Sequence, residues 1–187
     1  MNTVLTAAIA LMVTGIAACS ADSNAAVDLA GPLHACELLP GSEVERITGE
    51  RVTKTLVGLE SEQGKYAMSQ CSYSLANFGQ LTLQLTRSGK PIGVSRQADA
   101  DRERARDDGT GFGVAMADAI ESGADLPGLG SLAYQYRNDD AMHLVAYWDK
   151  HYSAWLWMNS DAAGEARVTQ IEQDVARAVI QRLQAKQ

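Results

Sequence analysis

Apolar and polar residues alternate along several short stretches of this chain, which is the pattern of half-buried β-strands. The clearest stretch runs from Leu81 to Thr86, where every second residue is leucine and the residues between are threonine or glutamine. The same reasoning predicts five further strands, at 52–59, 70–75, 131–137, 141–149 and 152–159. Short connections between the last three predict antiparallel hairpins.

A helical spacing replaces this alternation near the C-terminus. Between Glu165 and Gln184, apolar residues recur every three or four positions and form one stripe, composed of Val168, Ile171, Val175, Val179 and Leu183. A stripe of this kind predicts an amphipathic helix that packs on a sheet.

Three more helices are predicted upstream. The first runs from Glu43 to Thr48, with Ser42 and Glu45 at capping-box spacing and Gly49 at its end. Residues 94–108 are rich in aspartate, arginine and glutamate and predict a solvated surface helix, whereas the apolar residues 112–120 predict a packed one.

With the two consecutive middle helices counted as one unit, the resulting order of elements is α-β-β-β-α-β-β-β-α. Strands in runs with few long crossovers predict an α+β fold, with a mainly antiparallel sheet of about six strands and helices packed on it. Residues 32–187 are sufficient for one hydrophobic core, so we expect them to form a single domain.

The N-terminal segment differs from the rest in charge. No Asp, Glu, Lys or Arg precedes Asp22, and the apolar run from Val4 to Ala18 has the length of a signal peptide. The tetrapeptide Ile16-Ala17-Ala18-Cys19 resembles a bacterial lipobox, and this resemblance implies cleavage before Cys19 and acylation of its thiol and amino group. An uncleaved membrane helix and a plain secretory signal are the alternatives.

The lipobox resemblance leads to a prediction for the location of the protein. It implies a signal peptide at 1–18 and a lipid on Cys19 that holds the chain to a membrane of the bacterial envelope. Residues 19–31 are mostly small or polar, which is typical of a flexible tether. Ser20 resembles the sorting signal for the outer membrane in Gram-negative bacteria, which would place the domain in the periplasm.

Cysteine usage agrees with an oxidising compartment. Apart from Cys19, the chain holds Cys36 and Cys71, an even pair with one possible connectivity. Neither lies in a Cys-x-x-Cys motif or beside a histidine, so we predict a structural disulfide and not a reactive thiol.

Two short motifs carry a family resemblance. Cys36-Glu37-Leu38-Leu39 lies at the first predicted helix, and Gly128-Leu129-Gly130-Ser131-Leu132-Ala133-Tyr134 enters the fourth predicted strand. Together with the lipobox, they make the chain similar to a bacterial lipoprotein domain family of unknown function that is well represented in mycobacteria. The resemblance implies a PsbP-like fold and supplies no activity. Independently of any family, two glycines around Leu129 predict a tight turn that buries this leucine.

Net charge limits the possible partners. The chain has 16 Lys and Arg against 23 Asp and Glu, a net charge of −7 and a pI near 4.9. An acidic surface repels phosphate backbones, so we expect no nucleic acid partner.

Candidate catalytic and metal-binding residues are sparse. His34, His143 and His151 are too scattered for a zinc signature, and no motif predicts a metal or a cofactor. A glycine-rich stretch at 109–113 follows a charged helix and not a strand, which argues against nucleotide binding. A hydrolase that pairs His143 or His151 with a serine is the catalytic alternative.

The most suggestive feature is an aromatic hairpin at 141–159. If Lys150 and His151 form a two-residue turn, Trp148, Trp155 and Trp157 lie on the same face as Leu144. Such a face is most often core under a helix. If part of it is open, the three tryptophans would be anchors for a small ligand, a lipid or a peptide.

These observations favour a lipid-anchored extracytoplasmic protein that acts as a ligand-binding or envelope protein-interaction module and not as a catalyst. Its expected partners are the membrane, through the N-terminal lipid, and an unidentified small ligand or envelope protein. A hydrolase and a purely structural envelope lipoprotein are the alternatives, and the second requires a fully buried tryptophan face.

Overall fold

The structure, a computed structural model, describes residues 33–91, 93–139, 141–148, 150–159 and 163–185. The predicted signal peptide at 1–18, the tether at 19–31 and Cys19 lie outside these residues. The helices are α1 (Ala35–Leu38), α2 (Gly41–Thr48), α3 (Arg96–Arg106), α4 (Phe112–Ser122) and α5 (Glu165–Gln184). The strands are β1 (Val52–Gln63), β2 (Tyr66–Leu75), β3 (Gly79–Arg87), β4 (Ala124–Asp125), β5 (Leu132–Asn138), β6 (Ala141–Tyr147) and β7 (Tyr152–Asn159).

All seven strands form one antiparallel sheet in the order β1-β2-β3-β7-β6-β5-β4. The predicted α+β class and the mainly antiparallel sheet are therefore confirmed. The extra strand, β4, is two residues long and lies in a segment predicted as a loop. After β3 the chain crosses through α3 and α4 to the far edge and returns as a meander, so that β7 pairs with β3.

The first face of the sheet is covered by α1, α2 and α5. The alternating leucines Leu81, Leu83 and Leu85 of β3 point to this side and are fully buried. Helix α5 has the predicted bounds, and every residue of its predicted stripe is buried against the sheet. Burial of these large aliphatic side chains contributes the main favourable free energy of folding. Removing one such side chain from water stabilises the folded state by about 1.5–3 kcal/mol.

None of the described helices is long and apolar enough to cross a membrane.

The predicted disulfide is present between Cys36 and Cys71, with Cα atoms 5.1 Å apart. It joins α1 to the middle of β2. Because it closes a loop of 35 residues, the chain-entropy model gives it a stabilisation of about 3–4 kcal/mol. It also holds the short helix α1, which four residues alone could not keep folded.

Helix α2 begins differently from the prediction. Pro40 is its N-cap and no side chain caps it, so the predicted Ser42–Glu45 capping box does not form. Glu45 instead accepts a hydrogen bond from the backbone N–H of Val52, at 2.9 Å, and ties the helix to the start of β1. The end is as predicted, since Gly49 has φ of 72°.

Helices α3 and α4 pack on the second face, over β5 and β6. Their cluster contains Ala100, Met116, Ala117 and Ile120, together with tyrosines of the sheet. The prediction of a solvated surface helix is therefore wrong for one side of α3.

A buried carboxylate joins α3 to the sheet. Asp99 accepts hydrogen bonds from the hydroxyls of Tyr134, at 2.5 Å, and Tyr147, at 2.7 Å, and it is ion-paired with Arg102. Burial raises the pKa of both tyrosines, so they stay protonated and act as donors. This buried charge is tolerated because each of its oxygens has a hydrogen-bonding partner.

Edge strand β1 is long, largely exposed and irregular. Its register with β2 shifts between Val52 and Lys54, and again between Val57 and Glu60, where an extra residue interrupts the regular pairing.

The turn before β5 confirms the expectation for its glycines. Gly128 and Gly130 have φ of 84° and 74°, and Leu129 between them is 3% exposed and part of the core. The N–H of Ser131 donates to the carbonyl oxygen of Tyr147, at 2.7 Å, which brings the backbone at Gly130 against β6. A Cβ at Gly130 would overlap this carbonyl oxygen, whereas a Cβ at Gly128 would meet open space.

This difference gives a matched pair of substitutions. We expect Gly128→Ala to cost about 1 kcal/mol, because an L-residue is strained at positive φ. Gly130→Ala adds the backbone overlap, and we expect a loss of about 3 kcal/mol. Urea unfolding of both variants at one pH measures the two losses, and equal losses would contradict the close approach at Gly130.

Candidate functional site

The aromatic hairpin forms, but its predicted register is wrong by one residue. Tyr147 pairs with Ser153 and His143 pairs with Trp157, whereas a two-residue turn would have placed His143 opposite Met158. The connection is longer than predicted, since the last described pair encloses residues 148–152. His151 holds it in place, because its carbonyl oxygen accepts from the N–H of Ser88, at 2.6 Å.

A shift of one residue moves every side chain of a strand to the other face. Trp155 and Trp157 therefore lie on the second face of the sheet, opposite Leu144 and the core under α5. Trp148 leaves the strand and packs against the first core, where its ring stacks on Tyr152 with centroids 5.6 Å apart. The three tryptophans that the sequence groups together are thus divided between two faces.

Among the residues that the structure describes, helices cover the second face on one side only. The cluster under α3 and α4 takes in residues of β5 and β6 and reaches Trp155, but it includes no residue of β1, β2 or β3. Trp157 is half-buried and belongs to neither hydrophobic cluster. It marks the border at which the helical layer ends and the open part of the sheet begins.

On β2, β3 and β7 the open part consists of uncharged side chains, and we call it the neutral face. The adjoining edge strand β1 carries Leu56 and one charged residue, Lys54, on the same side of the sheet, opposite Ser72 and Ser74. On β2 it comprises Tyr66, Met68, Gln70, Ser72 and Ser74, on β3 Gln80, Thr82, Gln84 and Thr86, and on β7 Ser153, Trp155, Trp157 and Asn159. No residue of this set is charged, although charged residues make up 21% of the chain. All are half-buried or exposed except Ser72 and Thr82, which are buried. The surface therefore offers amides, indole rings and the hydroxyls of Ser74, Thr86 and Ser153 to a ligand, without a charged side chain of its own.

One cross-strand row runs from this surface into the helix-covered part. Thr82 pairs with Trp157, Trp157 with His143, and His143 with Tyr136. The imidazole of His143 lies parallel to the ring of Tyr136, with centroids 4.9 Å apart, and meets Trp155 edge-on at 6.3 Å. Burial lowers the pKa of His143 to about 4, so the ring is neutral near pH 7.

The hydroxyl groups next to Trp157 are held in fixed positions. Ser72 and Thr82 share a hydrogen bond of 3.0 Å between their hydroxyl oxygens, and the side-chain amide of Gln80 donates to Thr82 at 3.3 Å. Because both hydroxyls are buried, they order the sheet beneath the neutral face and are not themselves open to a ligand.

The contacts of the three histidines found among the described residues are with aromatic rings, a backbone carbonyl oxygen and a carboxylate. Nδ1 of His143 is buried without a hydrogen-bonding partner. Nδ1 of His151 lies 2.9 Å from the backbone carbonyl oxygen of Ser88, which is no nucleophile. His34 contacts Glu60 at 3.2 Å on the surface. Within the residues that the structure describes, no group of three or more His, Cys, Asp or Glu could hold a metal ion.

The glycine-rich stretch at 109–113 serves to connect α3 and α4. Asp107 accepts from the N–H of Gly113, at 3.1 Å, and Asp108 accepts from the N–H of Thr110, at 3.2 Å. Carboxylates therefore occupy N–H groups that a phosphate would need.

A groove of about 410 Å³ lies between α2 and α5. Its arginines are paired, Arg46 with Glu43 at 2.6 Å, Arg182 with Glu43 at 3.3 Å, and Arg177 with Asp174 at 2.6 Å. Because the acids already neutralise most of this charge, the groove is a weaker candidate for ligand binding than the neutral face.

Comparisons with family models, with curated proteins and with solved structures give no match to this chain. The resemblance to bacterial lipoproteins and the PsbP-like fold therefore stay predictions.

Sequence reasoning missed a buried acid, Glu172. Its carboxylate is fully buried between α5 and the sheet, and one oxygen accepts from the side-chain amide of Gln135, at 2.6 Å. Burial raises its pKa from the ordinary value of 4.5 to about 8. A signal existed, since position 172 lies one helical turn from both Val168 and Ala176, inside the apolar stripe.

The raised pKa of Glu172 makes the free energy of unfolding depend on pH. Between pH 4.5 and 8 the folded protein keeps a proton that the unfolded chain releases, so stability falls as pH rises, by up to about 1.4 kcal/mol per pH unit. We expect Glu172→Gln to be more stable than wild type at pH 8, with the difference disappearing near pH 4.5. Urea unfolding at pH 5, 6.5 and 8 measures it.

Glu165→Gln is the matched control, because Glu165 lies on the same helix with its side chain 63% exposed. A gain that is the same at all three pH values, or one that Glu165→Gln shares, would contradict the role of burial.

Proposed function

We propose that this protein is a lipid-anchored, extracytoplasmic binding module whose recognition surface is the neutral face. The observation that carries the proposal is the half of the second sheet face that no described helix covers, where Trp157 lies half-buried near the amides of Gln80 and Gln84. A monomeric domain that needed this sheet only as scaffold would cover large aromatic rings with a helix, as α5 covers the first face.

The proposed location has separate support. The lipobox ending at Cys19 implies the anchor, and the disulfide between Cys36 and Cys71 agrees with export to an oxidising compartment. A triacylated cysteine would hold the domain stably, because two or more acyl chains suffice for lasting membrane attachment. The segment between Cys19 and α1 is long enough to let the neutral face turn away from the lipid surface.

Binding is favoured over catalysis by the same geometry. A hydrolase needs a base within hydrogen-bonding reach of its nucleophile. Trp157 and Gln84, in contrast, belong to a surface that can hold a ligand without changing it.

The anchor can be tested in bacterial cells. We expect Cys19→Ser to move the protein from the membrane fraction to the soluble periplasmic fraction, because acylation requires the thiol. Cys36→Ser is the control and should stay with the membrane. Cell fractionation with mass spectrometry measures both. If Cys19→Ser stays in the membrane fraction, an uncleaved helix replaces the lipid anchor.

The recognition surface can be tested with the folded domain from residue 20 onward, labelled with ¹⁵N. We expect an extract of the native cell envelope to shift the indole N–H signal of Trp157 and backbone signals of β3. Trp148, on the opposite side of the sheet, is the internal control and should not shift. NMR titration measures these signals. An extract that leaves Trp157 unchanged would remove the basis for a binding role of this face.

A further inference from the structure

We infer that the neutral face binds an uncharged carbohydrate, with the indole ring of Trp157 stacked on the apolar face of a sugar ring. This inference rests on the proposed function and specifies its ligand. It joins three observations about the face: its lack of charge, its half-buried indole ring outside both hydrophobic clusters, and its accessible amide groups.

The lack of charge narrows the ligand class. An ionic ligand such as a phosphate or a carboxylate needs an opposite charge close to it in a site that excludes water. The neutral face contains no Lys, Arg, Asp or Glu, and the charged residue of β1 on the same side, Lys54, lies at its margin opposite Ser74, three strands away from Trp157. The adjoining imidazole of His143 adds no charge near pH 7, because burial keeps it neutral. The matching ligand is therefore one without ionised groups.

The side chains present match a sugar in particular. A hydroxyl or a carboxamide both donates and accepts hydrogen bonds, and so does each hydroxyl of a sugar. Gln84 and Gln70 face each other across β3 and β2, and Gln84 also lies opposite Trp155 on β7. An apolar chain of a lipid would leave these amides without partners when it excluded water, which costs free energy.

The aromatic ring supplies the apolar contact. One face of a sugar ring carries C–H groups, which pack on the negative face of an indole. Trp157 is suited to this contact because it lies outside both hydrophobic clusters and has no role in covering either core. Trp155, its neighbour two residues away on the same face, is partly held by the cluster under α3 and α4.

The geometry of the sheet favours a chain of sugars over a single one. The face extends over β2, β3 and β7, which lie about 4.8 Å apart. Gln84 and Gln70, both half-buried, continue the row that starts at Trp155, one strand further each time. A ligand stacked on Trp157 would reach these amides only with a second unit, so we expect affinity to rise with the length of the oligosaccharide.

The test is an NMR titration of the folded domain with chitotetraose, cellotetraose and maltotetraose, three neutral oligosaccharides of different linkage or substitution. We expect at least one to shift the indole signal of Trp157 and the backbone signals of β3, more strongly than its monosaccharide does. Trp157→Phe assigns the indole signal and, by keeping an aromatic face, should retain binding within a few-fold. Trp157→Ala should weaken it about tenfold.

A second pair of variants tests the amides without touching the aromatic ring. Gln84→Ala should weaken binding several-fold, whereas Gln170→Ala, on the exposed side of α5, should leave it unchanged. Both positions are accessible enough that the fold should tolerate the change. Thermal unfolding of every variant shows whether a lost signal reflects binding or folding.

The outcomes separate this inference from the proposed function. If the envelope extract shifts Trp157 but none of the three oligosaccharides does, the carbohydrate assignment is overturned and the binding role stands. Shifts caused by dodecylphosphocholine micelles, with no response to oligosaccharides, would assign the face to a lipid surface instead. Binding that Trp157→Ala and Gln84→Ala leave intact would place the sugar elsewhere on the protein.

Discussion

The pairing of β3 with β7 is the constraint on which the structure depends. It joins the hairpins formed by β1, β2 and β3 to the meander that begins at β4, and it makes one sheet out of two segments far apart in sequence. Its register sets Leu83 opposite Leu156 on one face and Thr82 opposite Trp157 on the other. Because side chains alternate strictly along a strand, this single alignment decides which residues enter the core under α5 and which form the neutral face.

Much of the fold could be predicted from local patterns. The stripe of α5 and the alternation in β3 each repeat over several turns or pairs, and the structure confirms both elements, with α5 keeping its predicted bounds. Gly128 and Gly130 were predictable for the same reason, since positive φ is a local requirement. These signals come from the segment's own geometry and need no knowledge of its neighbours.

The parts that could not be predicted depend on contacts between distant segments. The turn at His151 is set by its hydrogen bonds to Ser88, 63 residues earlier, and this contact moves Trp155 and Trp157 to the other face. From the sequence, Asp99 is one of several charged residues of a predicted surface helix. Its burial depends on Tyr134 and Tyr147, which lie far away in sequence and donate hydrogen bonds to it. Part of the candidate site could be predicted, because the alternation in β3 places Thr82 and Gln84 on one face of the strand. Only the pairing of β3 with β7 places these residues beside Trp157.

The two edge strands of the sheet determine whether copies of the protein can pair edge to edge. One border, β4, is two residues long, and the other, β1, has its pairing interrupted near Gly58 and carries Lys54 on its exposed flank. That strand also exposes Leu56, Val57 and Leu59, which would favour pairing with a strand of another molecule if the edge were regular. A kinked border offers an incoming chain no continuous ladder of N–H and C=O groups. Copies crowded side by side would thus resist fusing into one extended sheet.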